Sequence, residues 1–182
     1  MEIILIRHGK PKSADNPIIN ICEYAHWIRR YNASDVAKDS RPKSINANYQ
    51  SIYTLSSDLK RAIHSANIYV GKQPETIDKI YREMEIPRYH LPYKLKAWHW
   101  VYFSRLLWVL GVKGSFESFK QAKKRAEKAT DKLIKTSEVE GKVILFGHGF
   151  MNRYIRKSLI KKGWLLNHKS NAYWGITRLE RS

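Results

Sequence analysis

The chain has 182 residues, a hydrophobic fraction of 43% and a single cysteine, Cys22. This is the size of one domain with a substantial core, and it excludes an internal disulfide. Lys and Arg total 34 against 16 Asp and Glu, a formal net charge of +18, so polyanions are admissible partners: phosphorylated metabolites, nucleic acid or an anionic membrane surface. The plainer reading of the charge is a solvated basic surface. The amino terminus runs straight into an apolar strand, which speaks against a signal peptide, and a lone thiol suits a reducing, cytoplasmic setting.

Ile3-Ile4-Leu5-Ile6 reads as a buried strand of a covered parallel sheet. Arg7-His8-Gly9 follows at its carboxyl end, where open α/β sheets bind ligands. Gly9 leaves out a Cβ where the backbone turns close to a ligand. Lys10 to Pro17, with two prolines and an Asp-Asn pair, is a loop. Ile21 to Tyr31 is a helix with Tyr24, Trp27, Ile28 and Tyr31 as its core stripe. Asp39 to Gln50 is a polar loop, and Ser51 to Leu55 is the next strand. Ser56 or Ser57 caps the helix that follows, with Asp58 in its first turn. Ala62, Ala66 and Tyr69 form its packing face, and Gly71 is its stop. Arg61 lies near the strand end, where its planar fork of donors suits phosphate oxygens.

Thr76 to Met84 contains a short strand running toward Glu83 and Glu85, which alternation puts on one side. Ala97 to Val112 is rich in Trp, Tyr and Leu, is too short for a comfortable membrane span and is interrupted by Arg105. A hydrophobic cover over the site, at about residues 87–114, is the preferred reading, and an interfacial membrane helix is the alternative. Phe116 to Thr136 is the clearest helix, with Phe119, Ala122, Ala126, Ala129 and Leu133 at steps of three and four. Val143-Ile144-Leu145-Phe146 repeats the pattern of the first strand and ends in Gly147-His148-Gly149. Phe150 to Lys162 is a helix stopped by Gly163, and its free N–H groups would face an anion beside His148. Ala172 to Leu179 is a last strand.

Three of these stretches carry a resemblance. Leu5-Ile6-Arg7-His8-Gly9 resembles the Arg-His-Gly signature of the histidine phosphatase superfamily, also called the phosphoglycerate mutase-like family. Gly147-His148-Gly149 is similar to its second histidine motif. Ser56 to Ala66 is similar to its Ser-Asp-Leu-x-Arg-Ala helix start. The resemblance implies an α/β three-layer sandwich with a mostly parallel central sheet and helices on both faces. It also implies a phosphomonoester substrate, a phosphohistidine on His8, and no metal or other cofactor. Arg7, Arg61 and His148 would hold the phosphoryl oxygens, and Asn16 is the nearest match to the family's phosphate-binding Asn. Glu83 is the expected proton donor, following Arg82 as the family's acid segment commonly reads, with Glu85 as the competitor. Lys10 departs from the acidic residue often found after Arg-His-Gly. Hydrolysis is expected over a mutase-type transfer, because the chain is short and has only brief segments to close over the site.

Other classes stand beside this reading. A basic nucleic-acid-binding module would account for the charge, but no recognisable nucleic-acid motif is present. A metal site on His8 and His148 would lack an acidic or sulfur cluster. Against an inactive relative that senses a phosphorylated ligand stands the intact His-Arg-His set, while the choice between two acids leaves that reading open.

Overall fold

The computed structural model describes residues 1–90 and 92–182. Its centre is a six-stranded sheet in the order β4-β3-β6-β1-β8-β7, built from β1 (Glu2–Arg7), β3 (Tyr53–Ser56), β4 (Thr76–Ile77), β6 (Lys142–Gly147), β7 (Leu165–His168) and β8 (Ile176–Glu180). The pairings from β4 to β1 are parallel, while β8 runs antiparallel to both β1 and β7. Two-residue strands β2 (Ile18–Ile19) and β5 (Leu95–Lys96) form a separate small sheet.

The apolar runs of β1 and β6 are continuous because both faces of the sheet are covered. Ile3, Leu5, Val143 and Leu145 point to one face. There they meet Ala122, Ala126, Ala129 and Leu133 of α4 (Phe119–Glu140) and Met151, Ile155 and Leu159 of α5 (Gly149–Lys161). Ile4, Ile6, Ile144 and Phe146 point to the other face, against Ala66, Tyr69 and Val70 of α2 (Lys60–Val70). Each large aliphatic side chain buried this way contributes about 1.5–3 kcal/mol. The three-layer arrangement expected from the sequence is the one observed.

A third cluster lies beside the sheet. Tyr24, Trp27, Ile28 and Tyr31 of α1 (Ile21–Ala33) pack on Ala97, Trp100 and Val101 of α3 (Ala97–Val109). The helix α1 starts with a capping box between Asn20 and Glu23. The indole N–H groups of Trp27 and Trp100 donate to the carbonyls of Asp15 and Ile19 at 3.1 and 2.9 Å, so burying these rings leaves no stranded donor.

Several local expectations are corrected. Neither Ser56 nor Ser57 caps α2: its N-cap is Leu59, without a side-chain cap bond. Asp58 precedes the helix and takes a two-pronged bond from Arg82, at 2.5 and 2.6 Å. No strand carries Glu83 and Glu85; β4 ends at Ile77, and a 3-10 turn over Lys79–Tyr81 replaces the alternation. The last strand begins only at Ile176, because Trp174 takes the left-handed region with φ of 60° and turns the chain. The strand β7, exposed along its length, has no apolar pattern to announce it.

Candidate active site

The register of the sheet builds the site. Neighbouring strands β1 and β6 are parallel, with Ile6 opposite Phe146 and Arg7 opposite Gly147. The next residue on each chain is a histidine, so His8 and His148 emerge side by side beyond the carboxyl ends. Strands in a ladder lie about 4.8 Å apart, and the two imidazole centroids are 4.9 Å apart. On the other flank of β6, Ser56 pairs with Phe146. Ser57 therefore follows at the same level, and its Oγ lies 2.6 Å from Nε2 of His148.

Both rings are sealed in the protein, at 2% and 0% exposure. Burial, followed by the nearby Arg61 charge, holds the pKa of each well below the usual histidine value. In the neutral ring of His8, Nδ1–H donates to the carbonyl of Gly9 at 2.7 Å, which leaves the lone pair on Nε2. That nitrogen accepts from Nε of Arg61 at 3.2 Å. Arg61 is itself fully buried and tied by Nη1 to the carbonyls of Tyr31 and Asn32, at 3.0 and 3.1 Å. Arg7 donates to the carbonyl of Asn171 at 2.8 Å and lies over the ring of Tyr173, 4.2 Å from its centroid. Among the described residues, Nε of Arg7, Nη2 of Arg61 and Nδ1 of His148 are buried with no hydrogen-bond partner.

Glu83 reaches the site from the coil after the 3-10 turn. Its carboxylate accepts from the backbone N–H groups of Phe150 and Met151, at 3.2 and 2.9 Å, and from that of Met84 at 3.0 Å. At the start of α5 the N–H groups of Phe150 and Met151 are thus taken by Glu83, so these two do not face an anion beside His148 as the sequence predicts. With Arg7, Gly149, Phe150, Asn171 and Arg105, Glu83 borders a cavity of about 270 Å³ whose other wall is Tyr31, Ile86, Trp98, Val101 and Tyr102.

Two expected residues stand apart from this group. Glu85 is exposed and accepts from the backbone N–H of Glu117 at 2.5 Å, whereas Glu83 accepts from the start of α5. Asn16 is exposed and accepts from the N–H of Trp98 at 3.0 Å, which fixes the start of α3 instead of reaching the histidines. The close approach at Gly9 is also not to an open ligand site: a Cβ there would lie 2.5 Å from the ring of Trp174. Ser57, Asn171 and Tyr173 belong to the site without having been singled out for it. Ser57 lies inside the quoted helix-start motif, where a capping role masked it. Asn171 precedes and Tyr173 lies in an irregular turn, in a stretch that from Ala172 reads as strand in the sequence.

The family model described as the histidine phosphatase superfamily (branch 1) matches residues 37–181. No curated protein matches the chain in sequence. Among solved structures, the chain is similar to a mycobacterial glucosyl-3-phosphoglycerate phosphatase complexed with VO3, at 17% identity and a TM-score of 0.60 over 98% of this chain and 92% of that one. It is also similar to a phosphoserine phosphatase mutant from Entamoeba histolytica in complex with phosphoserine (16% identity, TM-score 0.56, 97% and 89% covered). A putative alpha-ribazole-5'-P phosphatase from Escherichia coli is a third (14% identity, TM-score 0.58, 88% and 79% covered). At such identities the likeness is one of fold. The family match begins after β1, and the register of β1 on β6 joins the remaining Arg-His-Gly to the matched part. The chain belongs to the histidine phosphatase superfamily.

Proposed function

We propose that the chain hydrolyses a phosphomonoester through a phosphohistidine on His8. The observation that supports this best is the set of unpartnered polar atoms on Arg7, Arg61 and His148 around two adjacent neutral imidazoles. A buried donor without a partner costs about 1–3 kcal/mol. A tetrahedral phosphate offers several oxygens at once and would relieve that cost.

In this reading the lone pair on Nε2 of His8 attacks phosphorus. The N–P bond forms as the ester P–O bond breaks, and Glu83 gives a proton to the leaving oxygen. Glu83 then takes a proton from water, whose oxygen attacks phosphorus as the N–P bond breaks and inorganic phosphate leaves. Arg7, Arg61 and His148 hold the equatorial oxygens, where electrostatic stabilisation carries most of such catalysis. The neutral state of His8 follows from its burial, so no base is needed to free its lone pair.

The test is a turnover screen over phosphorylated metabolites and an aryl phosphate, joined to trapping of a phosphoenzyme from radiolabelled substrate. The wild type should carry an acid-labile, alkali-stable label. His8→Ala should lose the label and roughly 10⁴-fold or more in turnover. A folded His8→Ala protein that keeps its turnover ends the proposal.

A further inference from the structure

The helix α3 has two faces that differ in kind. Trp100, Val101, Ser104, Arg105 and Trp108 are buried. Opposite them, Tyr102, Phe103, Leu106, Val109 and Leu110 are exposed, at 68%, 38%, 56%, 45% and 71%. These positions recur at steps of three and four, so they form one stripe along a helix about 20 Å long. Tyr93, 61% exposed, and Val112, 43% exposed, lie just before and just after the helix in sequence. A run of large apolar side chains of this extent marks a contact surface rather than scattered exposure.

The sequence on either side of the stripe is one-sided in charge. From Ile86 to Phe116 the sequence holds Arg88, Lys94, Lys96, Arg105 and Lys113 and not one Asp or Glu. Arg105 is turned inward, while the other four are exposed. Among the described residues, none of those four is paired with a carboxylate.

We propose that this face docks on an anionic lipid bilayer, with α3 lying in the headgroup layer. A basic rim, an apolar stripe and the aromatic rings of Tyr93, Tyr102 and Phe103 are what a helix in that layer requires. A second copy of the chain fits poorly: a two-fold contact sets a patch on itself, so like cations would meet, and the flanking carboxylates Glu85 and Glu117 are engaged by the Glu117 N–H and by Arg125. No helix among the described residues is long and apolar enough to cross a membrane, so the contact is peripheral. The buried Trp100 and Trp108 stay in the core. The expectation of a cover and the alternative of an interfacial helix thus fall on opposite faces of one element. Tyr102 also walls the cavity beside Glu83, so docking brings one wall of that cavity to the bilayer. Binding itself does not depend on the chemistry proposed for His8.

Co-sedimentation with phosphatidylcholine vesicles, with and without phosphatidylserine, tests this. The whole chain should bind the anionic vesicles and not the neutral ones. The double variant Leu106→Glu, Leu110→Glu should weaken binding at least about tenfold, because two apolar contacts are lost and two charges are repelled. Lys94→Glu with Lys113→Glu should weaken it by at least about fivefold for each lysine. Both pairs are at the surface, and an unchanged circular dichroism spectrum confirms folding. Binding that ignores the leucine variant but falls with salt would place the contact elsewhere on the basic surface and overturn the proposal. So would failure to bind anionic vesicles, or a dimer in solution that the leucine variant dissolves.

Discussion

The ends of β1 and β6 carry the same His-Gly pair after an apolar run, yet they are finished differently. After His8 the chain enters a loop, and the ring is oriented by its own neighbour, through Nδ1–H to the Gly9 carbonyl. This leaves Nε2 with a lone pair beside Arg61. After His148 a helix begins at once, the ring is engaged by Ser57 from the next strand, and the helix start is closed by the Glu83 carboxylate. Equal sequence therefore gives unequal chemistry. One end leaves a lone-pair nitrogen beside Arg61, while the other gathers a hydroxyl, an imidazole and a carboxylate.

The largest effect should separate the two histidines. His148→Ala should lower turnover by about 10²–10³-fold, the usual loss when one donor to a developing charge is removed. It should still accept the radiolabel, slowly, because His8 is intact. If His148→Ala loses the label while His8→Ala keeps it, the roles of the two strand ends are reversed.

Next in size is the carboxylate that belongs to the β6 end. Glu83→Gln keeps an oxygen to accept from the N–H groups that start α5, but it has no proton to transfer. Turnover of an alkyl phosphate should fall roughly 100-fold. An aryl phosphate, whose phenolate leaves without help, should be much less affected. Equal losses for the two substrates would reduce Glu83 to a helix cap, and Glu85→Gln should leave both rates unchanged.

The smallest effect is one the two ends share. Both imidazoles have a folded pKa below the unfolded value of about 6.5. Below that pH the unfolded chain binds protons that the folded chain refuses, so stability present above it is lost as pH falls toward the folded pKa values. Urea denaturation of the wild type between pH 7 and pH 5 should therefore show falling stability. His8→Ala and His148→Ala should each make that fall shallower by a similar amount. An unchanged slope in either variant would mean that its ring is not buried in the neutral state.

What the sequence determined by itself is what repeats or alternates locally. Two apolar runs ending in His-Gly, the stripe of α1 and the three- and four-residue steps of α4 are written in the chain; they place the elements and the pair His8 and His148, while the layers of the fold came from the family resemblance. Arg61, alone no more than an arginine near a strand end, was legible through the resemblance of Ser56 to Ala66 to the family's helix start. What only the tertiary structure decided depends on register and on side chains brought from a distance. The parallel pairing of Arg7 with Gly147 and of Ser56 with Phe146 sets His8, His148 and Ser57 at one level. The tight turn at Trp174 brings Tyr173 over Arg7 and packs an indole against Gly9. On the chain Glu83 was preferred over Glu85 only by its resemblance to the family's acid segment, since no strand fixes the direction of either carboxylate. The contacts do so, with the N–H groups of α5 taking one carboxylate and that of Glu117 the other. Asn16, matched by nearness in sequence, went to the start of α3 because an unsatisfied backbone N–H lay within its reach.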